Sequence, residues 1–128
     1  MQVYGVEPAT SAVITTGVAG KHKIQGIGAG FIPATYLPEY VDVVMPISDE
    51  DSLAAARFLA RQRGILVGIS SGAAFHAAAE LARKEENAGK LIVALLPDTG
   101  ERDTFQQNYS RTDHAGHYFA KGTHSPLA

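Results

Sequence analysis

Residues 64–74 read Gly64-Ile65-Leu66-Val67-Gly68-Ile69-Ser70-Ser71-Gly72-Ala73-Ala74, an apolar run that passes through Ser-Ser-Gly into an alanine-rich stretch. The run from Ile65 to Ile69 is short, apolar and bounded by glycine, which predicts a strand buried on both faces. Its continuation from about Ala73 to Lys84 has the composition of a helix. On the N-terminal side, Val41-Asp42-Val43-Val44-Met45-Pro46-Ile47 reads as a second short strand. Ser48 then stands at a cap position, with Asp49, Glu50 and Asp51 in the first turn, where the helix dipole favours acidic groups. Leu53, Ala56, Leu59 and Ala60 recur at helical spacing up to Arg63, and Gly64 sits where a C-terminal cap belongs. On the other side, Gly89 precedes Leu91-Ile92-Val93-Ala94-Leu95-Leu96, a further buried strand stopped by Pro97. Met1 to Pro8 reads as a strand already under way. Strands alternating with helices at these lengths predict βαβ units, hence an α/β fold with a parallel sheet and covering helices. Two good helices are too few for both faces, so the unit is expected to be incomplete.

The chain has 128 residues, 45% of them hydrophobic and 19% charged, as expected of a soluble globular protein. A formal charge of -2 gives no steering toward nucleic acid or an anionic membrane. No apolar run approaches the roughly 20 residues of a membrane span, and no secretory leader is legible. Without cysteine there is no disulfide, thiolate metal site or thiol nucleophile. A cytoplasmic location fits.

Three segments carry candidate chemistry. In His22-Lys23-Ile24-Gln25-Gly26-Ile27-Gly28-Ala29-Gly30-Phe31-Ile32-Pro33 the glycines suggest a phosphate loop, or simply a loop that needs positive φ. Ser70-Ser71-Gly72 lies at the carboxyl end of a predicted strand, where ligands of parallel sheets bind beside helix N-termini. A serine there caps the helix or reaches a ligand; Ser71, nearer the expected helix start, is expected to cap and Ser70 to face the pocket. Pro97-Asp98-Thr99-Gly100 ends the last strand; a turn explains it better than an aspartic-protease motif, because the α/β pattern is wrong for that enzyme.

Together, in this order and spacing, these segments resemble the C-terminal part of the cysteine synthase (O-acetylserine sulfhydrylase) family, over about Val3 to Arg102. Cystathionine β-synthase resembles the chain less well at Gln25 to Phe31. The resemblance implies a partial tryptophan-synthase-β-like fold, the three-layer sandwich of fold type II pyridoxal-phosphate enzymes. It implies pyridoxal 5'-phosphate as cofactor and β-replacement of acetate in O-acetylserine by sulfide, giving cysteine. By position, Ser70 matches the serine that meets the pyridine nitrogen, Gly26 a backbone position on the substrate side, and Pro97 and Asp98 positions near the cofactor. His22 and Lys23 match basic positions proposed to contact serine acetyltransferase, although Val18-Ala19-Gly20-Lys21 departs from the family's usual Lys-Pro-Gly-Pro lead-in. A homodimer is also implied.

The same resemblance implies that the cofactor-binding lysine, the Asn-containing substrate loop and the glycine-rich phosphate cradle lie upstream of Met1. None of Lys21, Lys23, Lys84, Lys90 or Lys121 has the required context, so the isolated chain is expected to be inactive, with no catalytic residue of its own. A non-catalytic, partner-binding remnant is the alternative from another class. Residues 1–102 form the expected domain piece, and 103–128 an aberrant, disordered tail. After Arg102 the family continues Tyr-Leu-Ser-Thr, a variable residue, then Leu-Phe. Back-translation of Asp103 to Ser110, read two bases later, permits that sequence, which predicts a single-base frameshift near Arg102. On that view His114, His117 and His124 are not a metal site.

Overall fold

The computed structural model describes residues 1–101; the tail expected at 103–128 lies outside the described residues. Strand β1 (Tyr4–Pro8) pairs in parallel with β2 (Val43–Ile47), in the register Tyr4 with Val43 through Pro8 with Ile47. Asp42 fastens the entry to this pair, its Oδ2 accepting the Val3 N–H at 2.7 Å. A parallel pair requires a crossover. Here it is a long irregular connection holding a 3₁₀ turn (Ala9–Ser11), the short helix α1 (Val13–Thr16) and a second 3₁₀ turn (Pro38–Tyr40).

Helix α2 (Asp49–Arg63) begins and ends as the residues dictate. Ser48 Oγ accepts the Asp51 N–H at 3.0 Å, and Gly64, at φ 67°, turns the chain out with its N–H on the Leu59 carbonyl. Helix α3 (Ile69–Arg83) packs along α2 through small residues: Ala55 and Ala56 on one side, Gly72, Ala73 and Ala77 on the other, all buried. A Cβ at Gly72 would strike the Ser52 carbonyl oxygen and come within 2.9 Å of Ala56 Cβ. The rings of Phe58 and Phe75 stack across the same pair of helices, centroids 6.0 Å apart. Two apolar clusters result. Ile24, Ile47, Ile69, Ala73 and Ala77 form one, against the sheet; Ala56, Leu59 and Val67 form the other, with Phe75 and Leu96 against it.

Three expectations need correction. Residues 65–69 do not form a strand: only Val67 makes a β-bridge, antiparallel to Thr99. The run is divided between the two clusters, Val67 entering one and Ile69 the other, and the chain coils to reach both. Helix α3 therefore starts at Ile69, four residues before Ala73, and its N-cap is Gly68 without a side-chain bond. Serine and glycine are tolerated in a first turn, whose N–H groups need no intrahelical acceptor. Ser71 thus lies inside the helix and is not its cap. Residues 91–96 keep the period-two pattern of a strand without being one: Leu91, Val93 and Leu95 are 91%, 82% and 79% exposed, while Ile92, Ala94 and Leu96 are partly buried. No hydrogen-bonded neighbour stands beside them among the described residues, and a ladder needs two strands. No described helix is long and apolar enough to cross a membrane.

Candidate functional site

Residues 22–30 are pinned at three points. Ile24 is fully buried in the cluster with Ile47 and Ile69. The Lys23 N–H donates to Asp49 Oδ2 at 2.9 Å, tying the loop to the first residue of α2. His22 bonds within its own loop, with Nε2 2.7 Å from the Gly28 carbonyl and Nδ1 accepting the Ile24 N–H at 3.2 Å. Past Ile24 the backbone bends through left-handed φ at Gly26 (92°), Gly28 (64°) and Gly30 (83°), values that glycine adopts without steric cost. Gly28 has a second reason to lack a side chain, since a Cβ there would lie 2.5 Å from Pro8 and 2.7 Å from His22 Nε2.

The loop brings Gly26 to Ser70. A Cβ at Gly26 would sit 3.7 Å from Ser70 Oγ, ordinary contact distance, so bare backbone faces the hydroxyl across a narrow gap. Ser70 is the second residue of α3 and 7% exposed, and its hydroxyl has no hydrogen-bond partner among the described residues. The first bond closing this turn runs from the Gly72 N–H to the Gly68 carbonyl at 3.1 Å, which puts Ser70 at the positive end of the helix dipole.

A strap of residues 98–100 closes the third side. The Asp98 carbonyl accepts from the Gly68 N–H at 3.4 Å and from Ser71 Oγ at 3.3 Å, and the Gly100 N–H donates to the Leu66 carbonyl at 3.3 Å. Ser71 Oγ also lies 3.4 Å from Asp98 Oδ1. The structure thus brings Gly26, Ser70 and Asp98 together around the first turn of α3, with Pro97 adjoining and exposed. His22 belongs to the same loop, but both its ring nitrogens are taken by that loop; the Lys23 side chain is exposed. No cluster of His, Cys, Asp or Glu that could hold a metal occurs among the described residues.

Two contributors were not singled out from sequence. Asp49 resembles any acidic first-turn residue, and nothing local reveals that its carboxylate anchors a loop 26 positions away. Its other oxygen, Oδ1, is buried without a partner. Gly72 looked like part of a turn, whereas it permits close approach of two helices.

A family model described as pyridoxal-phosphate dependent enzyme matches residues 1–98. Cysteine synthase from Staphylococcus aureus is 42% identical over 113 residues, which is 88% of this chain and 36% of that protein. The structure of cysteine synthase (OASS) from Entamoeba histolytica superposes with a TM-score of 0.84 at 44% identity, covering 88% of this chain and 33% of its own. The O-acetylserine dependent cystathionine beta-synthase of Helicobacter pylori gives a TM-score of 0.69 at 41% identity, covering 80% and 33%. The chain spans about a third of the length of these relatives. Its parallel pair, covering helices and glycine loop are accordingly part of the α/β fold of fold type II pyridoxal-phosphate enzymes. With the match running through β1, the glycine loop, α2, α3 and up to Asp98, the chain belongs to the pyridoxal-phosphate dependent enzyme family.

Proposed function

We propose that this chain is the C-terminal part of a pyridoxal-phosphate-dependent cysteine synthase and supplies one wall of its pocket. The enzyme would convert O-acetylserine and sulfide to cysteine and acetate by β-replacement. The observation that carries this reading is the Ser70 hydroxyl, without a partner among the described residues, set at the positive end of α3 and facing the bare backbone of Gly26. A hydroxyl both donates and accepts, so it suits a heteroaromatic ring nitrogen, and a glycine leaves room for a flat ring beside it. These residues fit the cofactor. When bound, it supplies the electron sink that lets a substrate lose a β-substituent and take up another.

Ser70 would hold the ring nitrogen by a neutral hydrogen bond. A carboxylate in its place would keep that nitrogen protonated and strengthen the sink, which favours transamination; a hydroxyl favours elimination and addition. Gly26 would present backbone to the substrate side. Asp98, through its bonds to Gly68 and Ser71, would keep the start of α3 in place, with Pro97 beside the ring.

The lysine that binds the cofactor, the phosphate cradle and the Asn-containing loop belong, on this reading, to other parts of the family fold. Lys21, Lys23, Lys84 and Lys90 are all exposed. The 128 residues alone would then make no cysteine and show no visible band from a lysine-bound cofactor. Docking of serine acetyltransferase at His22 and Lys23, and a homodimer, extend the same proposal. Exposed Phe31 and Ile32, at 64% and 51%, offer apolar surface further along the same loop. A frameshifted origin of residues 103–128 and a cytoplasmic location are also part of it. Cystathionine β-synthase is less favoured, since its superposition is looser than that of the cysteine synthase. The test is a chimera in which residues 1–101 replace the matching segment of the Staphylococcus aureus enzyme. It should form cysteine from O-acetylserine and sulfide; a chimera that folds and holds the cofactor yet forms none would overturn the proposal.

A further inference from the structure

Both ring nitrogens of His22 are bonded, and the two atoms they bond to constrain its chemistry. A backbone N–H can only donate, so the ring nitrogen facing Ile24, Nδ1, must offer a lone pair. A carbonyl can only accept, so the nitrogen facing Gly28, Nε2, must carry the proton. One form of imidazole meets both demands, the neutral Nε2–H tautomer. The other neutral tautomer fails at both ends. The cation sets an Nδ1 proton against the Ile24 N–H.

We propose that His22 is a positioning residue: as the Nε2–H tautomer it clips residues 22–28 into the turn that sets Gly26 against Ser70. The clip spans Gly26, with one bond before it and one after. Its partner Ile24 is fully buried, so a lost acceptor there cannot be replaced by water. Gly28 is held equally closely, since a Cβ on it would meet both the ring and Pro8. The charged groups on the surrounding segments are Lys21 and Lys23, exposed beside the ring; Glu7, occupied by Ile14 and Thr15; and Asp49, occupied by the Lys23 N–H. The catalytic value of the clip rests on Gly26 and Ser70 lining the pocket; the clip itself can be tested without any ligand.

The experiment is long-range ¹⁵N–¹H spectroscopy of the His22 ring in the 128-residue chain, with amide exchange of Ile24 followed in parallel. At neutral pH the ring should be the Nε2–H tautomer. Acidified until its own nitrogen shifts show both protons bound, it should lower the Ile24 protection factor about tenfold, as expected for one lost hydrogen bond, while Phe58 and Ala77 in the helices keep theirs. His22→Phe should show the low Ile24 protection at every pH. His22→Gln, which keeps a donor for Gly28, should fall between. An Nδ1–H tautomer at neutral pH, or Ile24 protection unchanged in His22→Phe, would overturn the proposal. Because the tautomer is read on the unaltered chain, a misfolded variant does not remove the test. Because no cofactor is present, its failure is separable from failure of the chimera to make cysteine.

Discussion

In the first turn of α3 two adjacent hydroxyls have different duties. Ser71 is fully buried and donates to Asp98, whereas Ser70 has no partner within the described chain. Ser71→Ala should therefore lower stability by about 1 kcal/mol in urea unfolding, and Ser70→Ala by less than about 0.5 kcal/mol. In the chimera the order should reverse, Ser70→Ala being the more damaging to cysteine formation. Equal effects of the two on stability would contradict the division of labour. Gly72→Ala should cost about 2 kcal/mol or more by the same measurement, because the Ser52 carbonyl and Ala56 leave no space for a methyl group. Ser70 was legible as a candidate because Ser-Ser-Gly ahead of an alanine-rich stretch is a local pattern, whereas Gly26 was marked only by its position in the family resemblance. The burial of Ser71 and the crowding at Gly72 depend on which helix lies opposite, and no local pattern carries that.

Elements bounded by chemistry of their own were read closely. Helix α2 has Ser48 before it, three acids in its first turn and Gly64 after it, and each marker sits where expected. Ser48→Ala should cost about 1 kcal/mol, seen as a lower urea midpoint with unchanged slope. Strands β1 and β2 were likewise legible, each as a short run of its own, the first ended by Pro8. Residues 65–69 and 91–96 were not, and for different reasons. The first has apolar residues that serve two separate clusters, which a uniform strand cannot reach. The second has the pattern of a strand but no neighbour among the described residues, and pairing is a property of two segments.

For the molecule as a whole, the unbalanced surface follows from that missing neighbour. Leu91, Val93 and Leu95 form one exposed apolar row on a segment with no hydrogen-bonded neighbour among the described residues, the kind of edge that recruits other chains. Replacing Leu91 and Leu95 by Lys should reduce self-association, measured by sedimentation velocity, while changing stability by less than about 0.5 kcal/mol, since both side chains are already in water. A marked loss of stability would mean that the row is covered in solution. The fold class was legible from the alternation of elements, but the extent of the sheet was not, because the chain spans only about a third of its relatives.

The long crossover is closed near its start by polar bonds: Thr10 Oγ1 donates to the Lys21 carbonyl at 2.8 Å, and the Gly20 N–H donates to Ser11 Oγ at 3.2 Å. Between them few apolar side chains leave water, Ala12 being the buried one. Heat capacity of unfolding follows exposed apolar area, so local opening of residues 10–21 should carry little of it, and opening of the two helices much more. Amide exchange measured over a range of temperatures should then give a nearly straight free-energy line for the loop and a curved one for the helices. On cooling, the piece of the chain that looks least organised would be the last to lose its grip.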